Sequence, residues 1–256
     1  MIAKYAKAKV AKAANALGYK IERLSPPSSP PHYLQVDSRY ADIIKAVEPF
    51  TMTPYEKIAT MVDATRYVAR ANIPGAIVEC GVWRGGSMMA AALALREANV
   101  SRDLYLFDTF AGMSAPTNED IDYRDVPATG RYVETAAGDH NEWCYASLEE
   151  VRNNMASTGY PEERLHFVRG SVLETLPCDE PRQIAILRLD TDWYESTLHE
   201  LKHLYPRLSH RGVLIIDDYG YWRGCRKAVD EFFAEGGPFL CRLDSTGVLG
   251  IVADRK

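Results

Sequence analysis

The chain has 256 residues, 30 basic and 35 acidic side chains, and a formal net charge of −5 at pH 7. That length suits one α/β domain, and that charge excludes a dedicated nucleic-acid binder, whose phosphate contacts need a basic surface. Cys80, Cys144, Cys178, Cys225 and Cys241 lack metal-ligand or redox spacing and read as incidental thiols of a cytoplasmic protein; no transmembrane run or secretory leader is expected.

Residues 1 to 24 interleave Lys4, Lys7, Lys9, Lys12, Lys20 and Arg23 with Ile2, Tyr5, Val10, Leu17, Ile21 and Leu24. Alanines fill the gaps, so a basic helical arm is expected. Its cations offer a weak contact to an anionic membrane surface. A solvated arm packed on the body or on a second subunit is the simpler reading. Ser25-Pro26-Pro27-Ser28-Ser29-Pro30-Pro31 cannot be helical and reads as an extended linker. The expected division is therefore an arm and linker over 1–40 and a body over 41–256.

Helix is expected over 41 to 72, broken at Pro49 and Pro54. Thr53-Pro54 suits an N-cap followed by proline at the first helical position. Ile58, Met61, Val62, Thr65 and Val68 then share one helical face. From residue 76, apolar runs alternate with helical stretches. The runs are Ala76 to Cys80, Leu104 to Phe107, Leu165 to Val168, Ile184 to Leu189 and Gly212 to Ile216. Helices are expected near 87–98, 147–157, 194–206 and 223–234. The alternation predicts an α/β fold, doubly wound on a mostly parallel sheet. Phe239 to Val252, parted by Asp244-Ser245-Thr246-Gly247, reads as a hairpin that adds an antiparallel strand. Ala111 to about Ala146 has little periodicity and reads as a long functional loop, a lid.

Four motifs stand at strand ends, where open α/β sheets bind ligands. The first is the turn Glu79-Cys80-Gly81-Val82-Trp83-Arg84-Gly85-Gly86-Ser87. Its glycines let the backbone turn sharply and approach a ligand. It has neither G-x-G-x-x-G spacing nor a P-loop lysine, and Glu79 suits a cationic ligand better than a pyrophosphate. Asp108 ends the next strand, about 20 residues on, where a carboxylate can take both ribose hydroxyls of a nucleoside; capping the following turn is the structural alternative. Asp190 and Asp192 leave a third strand, and Asp217 with Asp218 a fourth. Carboxylates leaving buried strands are costly without a cation. Oxygen-only ligands favour Mg2+, Mn2+ or Ca2+ over zinc. Trp83, Trp143, Trp193 and Trp222, with Tyr194, Tyr219 and Tyr221, offer aromatic faces for a sugar ring or flat aglycone, or ordinary packing.

These residues leave three readings open. One is group transfer to an acceptor beside a nucleoside cofactor. Another is metal-dependent glycosyl transfer from a nucleotide-sugar. The third is a non-catalytic nucleoside-binding module.

The sequence resembles the macrocin O-methyltransferase family, sugar-tailoring enzymes of macrolide and aminocoumarin pathways with relatives in bacterial glycan clusters. Met52-Thr53 with its following helix, the Glu79 to Ser87 loop, and Leu189-Asp190-Thr191-Asp192-Trp193-Tyr194 with Ile216-Asp217-Asp218-Tyr219 carry the resemblance. It implies a class I methyltransferase fold with a seven-stranded sheet, S-adenosylmethionine, Mg2+ (or Mn2+), and a sugar hydroxyl on a small molecule or glycan as acceptor. It further implies a homo-oligomer. Residue by residue, it places the metal on Asp190, Asp217 and Asp218. It places the cofactor on Thr53, Glu79, Gly81, Val82, Gly85, Gly86, Ser87, Asp108, Ser171 and, beside the metal, Asp190. Asp192 matches the general base, with Asp190 and the lid residue His140 as second and third candidates.

Overall fold

The computed structural model describes residues 40–253. All of the predicted arm and linker except Tyr40 lies outside the described residues.

A short helix α1 (Ala41–Val47) leads through a 3-10 turn at Glu48–Phe50 into α2 (Tyr55–Arg70). The predicted cap at Thr53 is not formed. Pro54 precedes the first helical residue, and the Thr53 hydroxyl pairs instead with that of Thr51 at 2.6 Å. The helix still buries the expected stripe, Ile58, Met61, Val62, Thr65 and Val68.

The sheet comprises β1 (Ala76–Cys80), β2 (Leu104–Asp108), β5 (Leu165–Arg169), β6 (Ile184–Leu189), β7 (Leu208–Ile216), β8 (Cys241–Arg242) and β9 (Val248–Ile251). Its order is β5-β2-β1-β6-β7-β9-β8. The first five run parallel, and β9 joins β7 antiparallel, with β8 beyond it. This is the predicted doubly wound sheet closed by a hairpin. The strand foreseen from Gly212 begins at Leu208, because a bulge beside Ile184 absorbs several residues of β7 before pairing resumes at Val213. Asp244 holds the hairpin turn, its carboxylate accepting from the amides of Thr246 and Gly247.

Helix α3 (Gly86–Glu97) packs against α1 and α2, while α7 (Tyr194–His203) packs against α8 (Arg223–Phe232). Between them in the chain lie α4 (Ala128–Glu134), α5 (Leu148–Ser157) and α6 (Val172–Thr175). Strand alternation decides what faces each layer. Ala76, Val78 and Cys80 of β1, with Leu187 and Leu189 of β6, join a core with Leu201 of α7 and Val229 of α8. Glu79 and Arg188 therefore point the other way, and the parallel register makes them direct neighbours.

The predicted lid is more ordered than its composition suggests. It contains α4 and a two-stranded ribbon, β3 (Ala136–Ala137) with β4 (His140–Asn141). Its root is tied down. The buried Asp120 carboxylate accepts from the Tyr194 amide at the start of α7, and the Trp193 indole donates to the Ser114 carbonyl at 2.9 Å. None of the helices among the described residues is long and apolar enough to cross a membrane.

Candidate active site

Because β1, β2, β6 and β7 are parallel, their carboxyl ends share one edge. A cleft of about 490 Å3 opens there. Its lining brings together Thr53, Gly81, Asp108 and Ser171 with Asp190, Asp192, Asp217 and Asp218. Such a volume suits a nucleoside-sized ligand.

Gly81 has φ +80°, and a β-carbon there would collide with the Asp190 carbonyl. Only glycine lets β1 turn this close to β6. Asp108 ties the same turn to β2. One carboxylate oxygen accepts from the amides of Val82 (2.7 Å) and Trp83 (3.1 Å), and the other from Phe110 (2.8 Å). The turn-capping role is thus in place, with the Thr109 hydroxyl a further contact at 3.4 Å from the second oxygen. Ser171 caps α6 through Leu173 and also faces the cleft.

The other predicted cofactor residues support the turn from behind. Glu79, Val82, Gly85, Gly86 and Ser87 are absent from the cleft lining among the described residues. Glu79 is 1% exposed and pairs with an internal cation, Arg188. Burial pushes its carboxyl up to about 7, against the pull of Arg188. Gly86 leaves no room for a side chain beside Phe50 and Thr51.

Four carboxylates crowd the β6 and β7 ends. Asp190, Asp192 and Asp218 offer oxygen atoms that all lie within 4.8 Å of one another. Asp192 reaches the group from a left-handed backbone, φ +70°, which Asp tolerates better than most residues. Burial is the main force pushing its carboxyl up to about 7, with Asp218 and the Trp222 side chain as hydrogen-bond partners holding it down. Burial and neighbouring carboxylates also raise Asp190 and Asp218 well above the usual range. Asp217 stands differently. One of its oxygens accepts from Arg188 at 2.5 Å and the other from Lys57. The two cations hold its carboxyl low against burial.

A trio of converging carboxylates is the oxygen donor set that a hard divalent cation takes. The residues present therefore fit such an ion. Asp190 and Asp218 belong to both the predicted and the spatial trio. Asp192 joins them in space, while Asp217 flanks them with one lone pair on each oxygen spent on a cation.

His140 does not line the cleft among the described residues; its ring nitrogens pair with Glu142 (2.9 Å) and Asp139 (3.2 Å) on the lid. Of the aromatics, Trp143, Trp193 and Trp222 form a mutually tilted cluster with ring centroids 5.0 to 6.1 Å apart. Trp143, Trp222 and Tyr221 line the cleft, as does Trp83. Tyr194 and Tyr219 point away, to Glu231 and Asp230. Sequence reasoning missed Lys57 and the pairing of Arg188. The signal for Arg188 was present, since a cation inside an apolar parallel strand demands carboxylates on neighbouring strands.

The sequence profile described as macrocin-O-methyltransferase (TylF) matches residues 32–248. A Streptomyces olivaceus protein, 8-demethyl-8-(2,3-dimethoxy-alpha-L-rhamnosyl)-tetracenomycin-C 4'-O-methyltransferase, is 34% identical over 77% of this chain and 74% of its own. Demethyldecarbamoylnovobiocin O-methyltransferase of Streptomyces niveus is 34% identical over 72% of this chain and 68% of its own. The solved structure of the O-methyltransferase NovP has a TM-score of 0.69 at 32% identity, covering 80% of this chain and 83% of that one.

Proposed function

Because the chain belongs to the macrocin O-methyltransferase family, with its class I fold and S-adenosylmethionine-dependent O-methylation, we propose that it methylates a sugar hydroxyl with help from Mg2+ or Mn2+. The acceptor would be a glycosylated natural product, as the rhamnosyl-tetracenomycin named for one relative suggests, or a bacterial glycan. One observation carries the reading. The oxygens of Asp190, Asp192 and Asp218 converge in the cleft that Gly81 and Asp108 line.

In this reading Thr53, Gly81, Asp108 and Ser171 seat the cofactor, and the residues behind the turn hold it in shape. Asp190 and Asp218 would hold the ion, with Asp217, tied to Lys57 and Arg188, as the third carboxylate of the set. When bound, S-adenosylmethionine supplies an electrophilic methyl group and the ion supplies Lewis acidity that lowers the pKa of the acceptor hydroxyl. Asp192 takes the hydroxyl proton at its carboxylate, which near 7 is poised for general base work. Trp143, Trp222 and Tyr221 flank the acceptor, and the anchored lid excludes water. The chain would divide into an N-terminal arm and linker, 1–40, and a methyltransferase domain, 41–256, and would work as a homo-oligomer.

The test is calorimetric titration with S-adenosylhomocysteine, run after EDTA treatment and again with Mg2+, followed by sugar acceptors. Cofactor-product binding in both states, with methyl transfer only when metal is present, is the expected result. No S-adenosylhomocysteine binding would overturn the reading, and equal turnover after EDTA would remove the metal from it.

A further inference from the structure

Lys57 lies in the first turn of α2, and its side chain is 6% exposed. Its ammonium has three N–H groups, and each finds an oxygen. They are the Asp217 carboxylate, the Asp217 carbonyl at 3.1 Å and the Thr246 hydroxyl at 2.7 Å. The donor set is therefore complete. The second Asp217 oxygen accepts from one nitrogen of Arg188 at 2.5 Å. The other terminal nitrogen of that guanidinium lies 2.8 Å from Asp190. A continuous chain thus runs from Lys57 through Asp217 and Arg188 to Asp190. It links α2 to the acidic edge of β6 and β7, and Thr246 adds the hairpin turn.

A buried lysine is costly to desolvate, and three well-placed acceptors offset that cost. A merely structural tie would need only the hairpin. The bond to a carboxylate beside the acid trio does more, because it removes the rotational freedom of that carboxylate. Partners of this kind, one step out from a metal's own ligands, orient those ligands.

Resting on the metal-assisted reading above, we infer that Lys57 is a positioning residue for the cation site: it fixes Asp217 directly and Asp190 through the Arg188 they share. The probe is Mn2+, titrated by electron paramagnetic resonance into protein saturated with S-adenosylhomocysteine. Wild type is compared with Lys57→Met, Lys57→Arg, Asp217→Asn and the Lys57→Met/Asp217→Asn double variant. Lys57→Met is expected to weaken Mn2+ binding about tenfold, the low end for loss of such a partner. S-adenosylhomocysteine affinity should stay within about threefold, since Lys57 acts on the acids and not on the glycine turn. Lys57→Arg should recover most of the loss. In the Asp217→Asn background, Lys57→Met should weaken Mn2+ no further. Unchanged Mn2+ affinity in Lys57→Met overturns the inference, as does an equal loss in both backgrounds. So does a loss of S-adenosylhomocysteine affinity and thermal midpoint in step with that of Mn2+, the mark of a purely structural tie. If Lys57→Met fails to fold, Lys57→Gln carries the same comparison. Wild type that binds S-adenosylhomocysteine but no Mn2+ would overturn the metal reading itself, which separates the two failures.

Discussion

Arg188 and Glu79 are register neighbours on β6 and β1, and the guanidinium bonds the carboxylate inside the sheet layer. Neither side chain exceeds 3% exposure. The pair lies directly beneath the acidic edge, since Arg188 also reaches Asp190 and Asp217. A single cation thus serves three carboxylates from three different stretches of chain.

Removing that cation alone strands Glu79 in the interior and leaves Asp217 with Lys57 as its remaining cation. Arg188→Met is expected to lose about 3–5 kcal/mol of stability, the usual cost of breaking a buried pair from one side. Replacing Glu79 as well, as Arg188→Met/Glu79→Met, should return part of that loss. Urea denaturation of the three proteins checks the prediction; a double variant no more stable than Arg188→Met would show that the Glu79 charge is not the source of the cost.

Asp192 should govern the acid limb of the reaction. A base must be ionised, and burial holds this carboxyl near 7. Turnover should therefore fall as pH drops through about 7 and level above it. Asp192→Asn should lose about 10²–10⁴-fold in kcat while keeping S-adenosylhomocysteine binding. Raising the divalent cation concentration should move the limb to lower pH, because the ion favours the ionised carboxylates around it. A pH profile measured at two Mg2+ concentrations tests both points.

Glu200 is fully buried beneath this edge, with Thr191 donating to one oxygen at 2.8 Å. Burial pushes its carboxyl up to about 8, against that hydrogen bond. From about 4.5 to 8 the folded protein then holds a proton that the unfolded chain has released, so stability falls as pH rises across that window. Glu200→Gln removes the titration. Its thermal midpoint should gain on wild type between pH 5 and pH 8.5; parallel curves for the two proteins would show that Glu200 does not titrate there.

Gly81→Ala should damage both fold and cofactor site. It forces a β-carbon into a left-handed position against the Asp190 carbonyl. Backbone strain of about 1–3 kcal/mol is expected, along with weaker S-adenosylhomocysteine binding. Gly138 is the control, since it also has positive φ but faces open space. Gly138→Asn should keep S-adenosylhomocysteine affinity at the wild-type level in the same titration.

Much of the site could be read along the chain. Gly81, Asp108, Asp190, Asp217 and Asp218 each follow an apolar run, and parallel strands bring such ends to one edge whatever their separation in sequence. The family motif points to Thr53, which lines the cleft, whereas the cap expected there is not formed. The lid showed itself only as a stretch without periodicity. Its root is held by single contacts such as Asp120 to Tyr194, and those leave no period to detect.

The amino-acid sequence by itself determined the strand and helix alternation, the family, and the acids that leave the sheet, because these depend on local pattern. Only the tertiary structure decided how the acids share their partners. Lys57 and Asp217 are 160 residues apart, and Arg188 and Glu79 are 109 apart. Which carboxylate meets a cation and which meets another carboxylate depends on register, strand parity and burial. Those quantities exist only once the β6 and β7 ends stand beside α2 and β1, in a medium where unpaired charge is costly.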